Sequence, residues 1–200
     1  MPTPTFAVLE SVITERRSIK QFLPTPVPRS LITSLLDLAV WAPNHRLTEP
    51  WRFYVLDGSA RARLGEIARE VTRAKVGAPG SDPALVERKS AEAAATWAAV
   101  PALIYVTVVA DPRPEIDLEN YGAVCCAVQN LLLGAHAAGL GASWSSGAVA
   151  AAPALHELVG AAPAERMVGL IRLGYVDPRG VVATSQRALS AQYTRWVADE

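Results

Sequence analysis

The run Leu103-Ile104-Tyr105-Val106-Thr107-Val108-Val109 carries no charge and is mostly β-branched or aromatic. A strand with one wet face alternates polar and apolar residues, so an unbroken run predicts a strand covered on both faces. The fold must then supply helices above and below it. A second stretch, Gly122 through Trp144, also has no formal charge. Gln129, Asn130, His136 and several glycines interrupt it and no basic cluster flanks it, so it reads as a buried central helix rather than a membrane span.

Other elements fall around these two. Phe6 to Glu15 reads as an amphipathic helix with Phe6, Leu9, Val12 and Ile13 on one stripe. Pro24, Pro26 and Pro28 enforce extended chain, and Leu31 to Trp41 follows as a second helix stopped by Pro43. Trp51 to Leu56 reads as a strand, Ala60 to Lys75 and Ala84 to Ala99 as helices, and Gly77 to Pro83 as a mobile loop between them. Asp111 to Asp117 reads as a proline-rich connector, and Asn120 to Ala138 as the long helix ended by Gly139-Leu140-Gly141. A short strand and loop from Ala142 to Gly147, a helix from Ala154 to Val159 and a strand from Met167 to Val176 complete the pattern. The expectation is one α+β domain spanning residues 1–200, with three or four strands and helices on both sheet faces. The tail from Asp177 has little core of its own.

Nineteen basic and nineteen acidic residues cancel, so no net field recruits nucleic acid or an anionic membrane. Half of the 200 residues are hydrophobic, more than a small monomer needs, which points to a large subunit interface. Cys125 and Cys126 are adjacent in a helical stretch and lack metal-ligand spacing, so they read as reduced thiols packed as small hydrophobes. No secretory signal pattern is visible near Met1, and the expected compartment is the cytoplasm. No dinucleotide-binding or Walker glycine pattern occurs, and no catalytic triad or metal cluster can be assembled.

Chemistry concentrates first at Glu15-Arg16-Arg17-Ser18-Ile19-Lys20-Gln21-Phe22. Adjacent guanidiniums beside a hydroxyl suit a phosphate monoester, since the arginine fork pairs with its oxygens. The same cations at a helix C-terminus can equally serve the helix dipole. Two further segments accompany it: Ala42-Pro43-Asn44-His45-Arg46-Leu47-Thr48-Glu49-Pro50-Trp51-Arg52-Phe53 and Gly139-Leu140-Gly141-Ala142-Ser143-Trp144-Ser145-Ser146-Gly147. In identity, order and spacing the three resemble the nitroreductase family of FMN flavoproteins, its compact NAD(P)H nitroreductase subgroup in particular. The likeness runs from about Val8 to Gly174.

This resemblance implies a nitroreductase-like fold with a central mixed or antiparallel sheet, an interlocked homodimer, and FMN at the subunit interface. It implies that Arg16, Arg17 and Ser18 hold the phosphate and ribityl end. His45 would reach the flavin of the other subunit, and Trp144, Ser145 and Ser146 would lie behind the ring. Trp41 is either buried filler or an aromatic lid over the flavin, while His45 alternatively caps a turn. NADH or NADPH would donate a hydride in a ping-pong cycle to a nitroaromatic, quinone or similar conjugated acceptor. No side chain is expected to act as a catalytic residue in its own right. The alternatives are a flavin carrier or sensor with little turnover, and a reductive dehalogenase or ring-modifying enzyme on the same fold.

The chain departs from the family pattern in four places. Trp41 and Ser145 stand where relatives of the subgroup carry arginine, and Leu47 and Glu49 replace a family Asn and Gln. Lys20, Arg46 or Arg187 are the sequence's candidates to restore the missing charge. Among the remaining residues, Trp51 and His136 read as core or interface. His156 reads as surface, and Glu66, Glu70, Glu87 and Glu92 as solvated helix faces.

Overall fold

The computed structural model describes residues 3–181 and 184–197 and is organised around a four-stranded sheet. In chain order the elements are α1 (Pro4–Glu15), α2 (Arg29–Ala39), β1 (Trp51–Leu56), α3 (Gly58–Val76) and α4 (Pro83–Ala98). There follow β2 (Ala102–Val109), α5 (Pro114–Ala137), β3 (Leu140–Ser145), α6 (Pro153–Leu158) and β4 (Glu165–Tyr175). The sheet order is β1-β2-β4-β3 with every pairing antiparallel. The uncharged run forms β2, an interior strand whose residues from Ala102 to Val108 are all buried.

Helices cover both faces, as that run requires. On one side α2 and α5 pack Ile32, Leu35, Val124, Val128 and Leu131 against Ile104, Val106, Ile171 and Leu173. On the other, α3, α4 and α6 bring Leu64, Trp97 and Leu155 onto Leu56, Leu103, Tyr105 and Leu170. Trp51 sits in the first of these cores, as its sequence context suggested.

Four helices begin one to several residues earlier than the periodicity indicates, each on a proline: Pro4, Pro83, Pro114 and Pro153. The first helical position lacks an intrahelical acceptor for its N–H, so proline costs nothing there. Thr3 and Asp82 supply side-chain caps to the amides of Phe6 and Ala84. The expected connector at 111–117 therefore overlaps the first turn of α5.

Three expectations change. The apolar stripe of α1 is not buried: Phe6, Leu9 and Ile13 are exposed, and no residue of that helix is buried. The α5 helix is central but leaves Leu118, Tyr121 and Cys126 exposed, so only Cys125 of the thiol pair is even half-buried. His156 is half-buried rather than superficial. Its Nε2 meets the Ala162 carbonyl at 3.2 Å, which fixes Nδ1 as acceptor for the Tyr105 hydroxyl, also at 3.2 Å.

Beside this pair, Glu165 opens β4 as the acceptor of bonds from both sheet and loop. Tyr54 Oη donates to both of its oxygens at 2.9 Å, and Thr107 Oγ1 and the Ala162 amide donate as well. Burial acts to raise the Glu165 pKa, but these bonds and nearby Arg52 outweigh it and hold the carboxyl below its ordinary value.

Two outcomes follow. A Cβ on Gly141 would sit 2.8 Å from Ile19 Cβ, so Gly141→Ala should destabilise by about 1–3 kcal/mol in urea titration. Burial first, then the Glu165 charge and Tyr54, pushes the 1 %-exposed Tyr105 phenol up to about 12. Its neutral form is favoured in the native state, so its contribution is complete below the unfolded value of about 10 and is lost on rising through about 12. Unfolding free energies between those pH values should fall more steeply in the wild type than in Tyr105→Phe.

Candidate functional site

The chain leaving α1 turns along the outer edge of β3. Ser18 forms a parallel bridge with Ala142, and the Ile19 amide donates to the Ala142 carbonyl at 2.9 Å. Gly141 allows this approach, because its missing side chain leaves room for Ile19. Two of the three motif segments are thereby joined. Within the first, the arginines divide. Arg17 Nη1 donates to the Thr14 carbonyl at 2.6 Å and to the Arg16 carbonyl at 2.9 Å, closing the helix C-terminus. Arg16 is half-buried and, among the described residues, makes no side-chain hydrogen bond or ion pair. Ser18 is exposed beside it.

Along β3 the pleat separates neighbours. Leu140, Ala142 and Trp144 face the α2/α5 side, whereas Ser143 and Ser145 face α4. The indole of Trp144 lies across Gly169, where a side chain would collide with it, and its Nε1 donates to the Val168 carbonyl at 3.1 Å. Ser145 Oγ accepts from Arg172 Nη2 at 3.0 Å, and that guanidinium stacks over Trp97 at 4.7 Å. Trp144 and Ser145 therefore present their side chains on opposite faces, and only one of the two can meet a given planar ring with its side chain. Ser146 is exposed at the loop that follows.

The third segment is a strained loop. Arg46, Leu47 and Glu49 have φ of 63°, 49° and 45°, left-handed values that non-glycine residues rarely adopt. Polar bonds hold the strain in place. Asn44 Nδ2 donates to Thr48 Oγ1 at 3.0 Å, and Asn44 Oδ1 accepts from the Glu49 amide at 2.7 Å. The first turns of α5 pin the loop from outside: His45 Nδ1 meets Glu119 Oε2 at 2.8 Å, and Thr48 Oγ1 donates to Asn120 at 2.6 Å. The family's Asn, at Leu47 here, is a residue type that tolerates this backbone. Trp41 is 84 % exposed, so within the chain it is not filler.

Register sets how the pieces lie. Trp51 opens β1 opposite Val108, which pairs with Arg166 at the start of β4, and β3 runs out toward that same end at Ser145. The loops at 43–50 and 146–149 thus share one end of the sheet but sit on opposite edges. Three strand spacings separate them, about 14 Å. Among the described residues no hydrogen bond links Trp41 or His45 to Arg16, Arg17, Ser18 or the 144–146 stretch. Periodicity did not single out Asn44, Glu119, Asn120, Ser143 or Arg172. Asn44 and Ser143 lie within the motif segments, and Arg172 was marked by a charge inside an apolar strand.

This architecture and these segments have known counterparts. The family model for the nitroreductases matches residues 13–175. The chain belongs to the nitroreductase family. Among its relatives is YfhC of Bacillus subtilis (strain 168), named as an NAD(P)H nitroreductase, which is 33 % identical over 172 residues, 86 % of each chain. A nitroreductase-like family protein from Bacillus cereus covers 98 % of each chain with 29 % identity and a TM-score of 0.80. The FMN-dependent nitroreductase NfnB from Mycobacterium smegmatis, solved with NADPH, covers 96 % of this chain and 99 % of its own at a TM-score of 0.74. At 20 % identity NfnB shares the fold. The nitroreductase fold expected from the motifs is the one found, and this chain is an oxidoreductase by its family. Among the described residues no helix is long and apolar enough to cross a membrane, and no side-chain cluster suits a metal ion.

Leu47 is 81 % exposed and loses nothing by substitution in the chain itself. Leu47→Asn should therefore stabilise the protein by about 1 kcal/mol through relief of the left-handed backbone, seen as a raised urea midpoint.

Proposed function

We propose that this nitroreductase-family chain is an FMN-dependent enzyme that carries hydride from NADH or NADPH to a nitroaromatic, quinone or similar conjugated acceptor in a ping-pong cycle. It does so in the cytoplasm as a homodimer, with FMN at each subunit seam. Bound FMN supplies the two-electron hydride chemistry between nicotinamide and acceptor. The observation that carries the reading is the edge bridge of Ser18 to Ala142, which sets an unpaired, half-buried arginine beside the strand bearing Trp144.

The residues fit an anionic flavin tail. Arg16 is a cation without a partner among the described residues, Ser18 offers an exposed hydroxyl next to it, and Gly141 keeps the backbone close. Arg16 and Ser18 bind the phosphate and ribityl end, while Arg17 shapes the turn that presents them. Trp144 gives the ring an apolar wall, its indole locked by the Val168 carbonyl. Ser145, committed to Arg172, serves through its backbone, and Ser146 through its hydroxyl.

A second copy is supported by apolar surface that one chain leaves wet. Phe6, Leu9 and Ile13 on α1, Leu118 and Tyr121 on α5, and Tyr193 and Trp196 in the tail are all exposed. Monomers rarely tolerate such surface. His45 and Trp41, on the far edge from β3, then act on the partner's flavin, with Trp41 as a lid. A planar acceptor is held there by stacking and exclusion of water, so many acceptors are accepted.

Purified protein should be yellow or become so with FMN, and NADH or NADPH should bleach it anaerobically within seconds. A flavin that binds but does not bleach would make the protein a carrier, and protein that stays colourless would end the reading. Arg16→Ala should lower FMN affinity by about 10- to 150-fold, the loss of charge-assisted bonds, with little change in unfolding. Arg17→Ala should instead lower stability. Dialysis followed by flavin absorbance and urea titration separates the two.

A further inference from the structure

His45 opens the short helical turn of the strained loop, and its partner stands 74 residues further along the chain. Nδ1 meets Glu119 Oε2 at 2.8 Å, and among the described residues neither side chain makes any other hydrogen bond or ion pair. A carboxylate only accepts, so Nδ1 carries the hydrogen of this bond whether the ring is neutral or charged. Proton exchange is thereby confined to Nε2, which has no partner among the described residues. The backbone beneath the ring is held as well. Asn44 accepts from the Glu49 amide at 2.7 Å, and Thr48 donates at 2.6 Å to Asn120, a residue 4 % exposed and adjacent to Glu119. One turn of α5 thus anchors both the loop and the imidazole. With side chains 61 % and 45 % exposed, the His45–Glu119 pair adds little to stability. What it does settle is which ring nitrogen is free.

The acceptor half of the proposed cycle calls for such an atom. A quinone that takes up a hydride still needs one proton on oxygen to become a hydroquinone. A nitro group that takes up a hydride and a proton yields a nitroso group and water. Hydride uptake from the nicotinamide needs no proton, so the expectation of no catalytic side chain is kept for that half.

We propose that His45 Nε2 is the proton donor to the acceptor's oxygen and that Glu119 is the positioning residue behind it. This rests on the flavin reading above, in which His45 acts at the partner's flavin. The Nε2–H bond breaks, an O–H bond forms on the acceptor, and the electron pair stays on Nε2. Water then returns a proton to the ring, which is open to solvent. Glu119 keeps Nδ1 out of this exchange, so the same nitrogen is offered on every turnover.

The test times reoxidation of the FMN-loaded, NAD(P)H-reduced protein by a quinone against reoxidation by ferricyanide, which takes electrons without forming an O–H bond. His45→Gln should slow the quinone reaction about 100-fold more than the ferricyanide reaction. Glu119→Leu should slow the quinone reaction about 10-fold and add little in a His45→Gln background. Glu119→Gln, whose amide oxygen still accepts from Nδ1, should retain most of the wild-type rate. Nitrogen-15 spectra of the imidazoles read the geometry without turnover. Neutral His45 should carry its hydrogen on Nδ1, and Glu119→Leu should shift it toward Nε2. Equal slowing of quinone and ferricyanide in His45→Gln would overturn the proposal alone, as would additive losses in the double variant. Wild-type His45 with its hydrogen on Nε2 would do the same. Protein that holds no FMN, or FMN that NAD(P)H does not bleach, would sink the flavin reading and this proposal with it, and absorbance shows that before any acceptor is added.

Discussion

One backbone hydrogen bond, from the Ile19 amide to the Ala142 carbonyl, sets much of what this molecule can do. It closes the outer edge of β3, which would otherwise be an unpaired strand edge at the end of the sheet. It also fixes where the chain leaves α1, and so sets the Arg16-Arg17-Ser18 turn beside the strand that bears Trp144. The bond exists because Gly141 lets Ile19 lie against the strand. A requirement for close packing and the proposed flavin site thus meet in one residue without a side chain.

The cations around that edge illustrate how position, not charge, assigns a role. Arg17 is spent on the carbonyls of the helix it ends. Its neighbour Arg16 has no such sink among the described residues. Arg172, on the neighbouring strand β4, is tied to Ser145 and stacked on Trp97, at the place where the sequence pattern had lost an arginine. A guanidinium thus stands beside position 145 from the neighbouring strand, on the sheet face that Ser145 shares. None of Lys20, Arg46 or Arg187, the sequence's own candidates, is the group beside Ser145.

The layered fold was legible because its signals are local. An unbroken β-branched run can only be an interior strand, and helical stripes flank it in the right order. The helix starts were less legible, since proline reads as a breaker although it suits the first turn. The candidate site was legible as three segments and illegible as a geometry. Alternation along β3 sends Trp144 and Ser145 to opposite faces, which needs the strand's pairing to be known. The strain at Arg46, Leu47 and Glu49 and its restraint by Asn44, Glu119 and Asn120 depend on contacts 70 or more residues apart in part, as with His45 to Glu119. Periodicity carries no information about such pairs.

The apolar stripe of α1 is the most instructive mismatch, because the pattern was right and the partner was missing. Phe6, Leu9, Val12 and Ile13 recur at helical spacing, yet among the described residues nothing buries that helix. A stripe conforms to whatever surface covers it, and periodicity does not say whether that surface belongs to the same chain. The same logic applies to the loop at 43–50. It stands about 14 Å across the sheet from β3, yet its strained backbone is held rigid by bonds to α5, a helix whose outer residues are themselves wet. Strain maintained at that cost is expected where a loop must meet something specific. Within one chain it meets solvent. The pairing of two copies proposed above would offer a covering surface to the stripe of α1 and a partner to the strained loop alike.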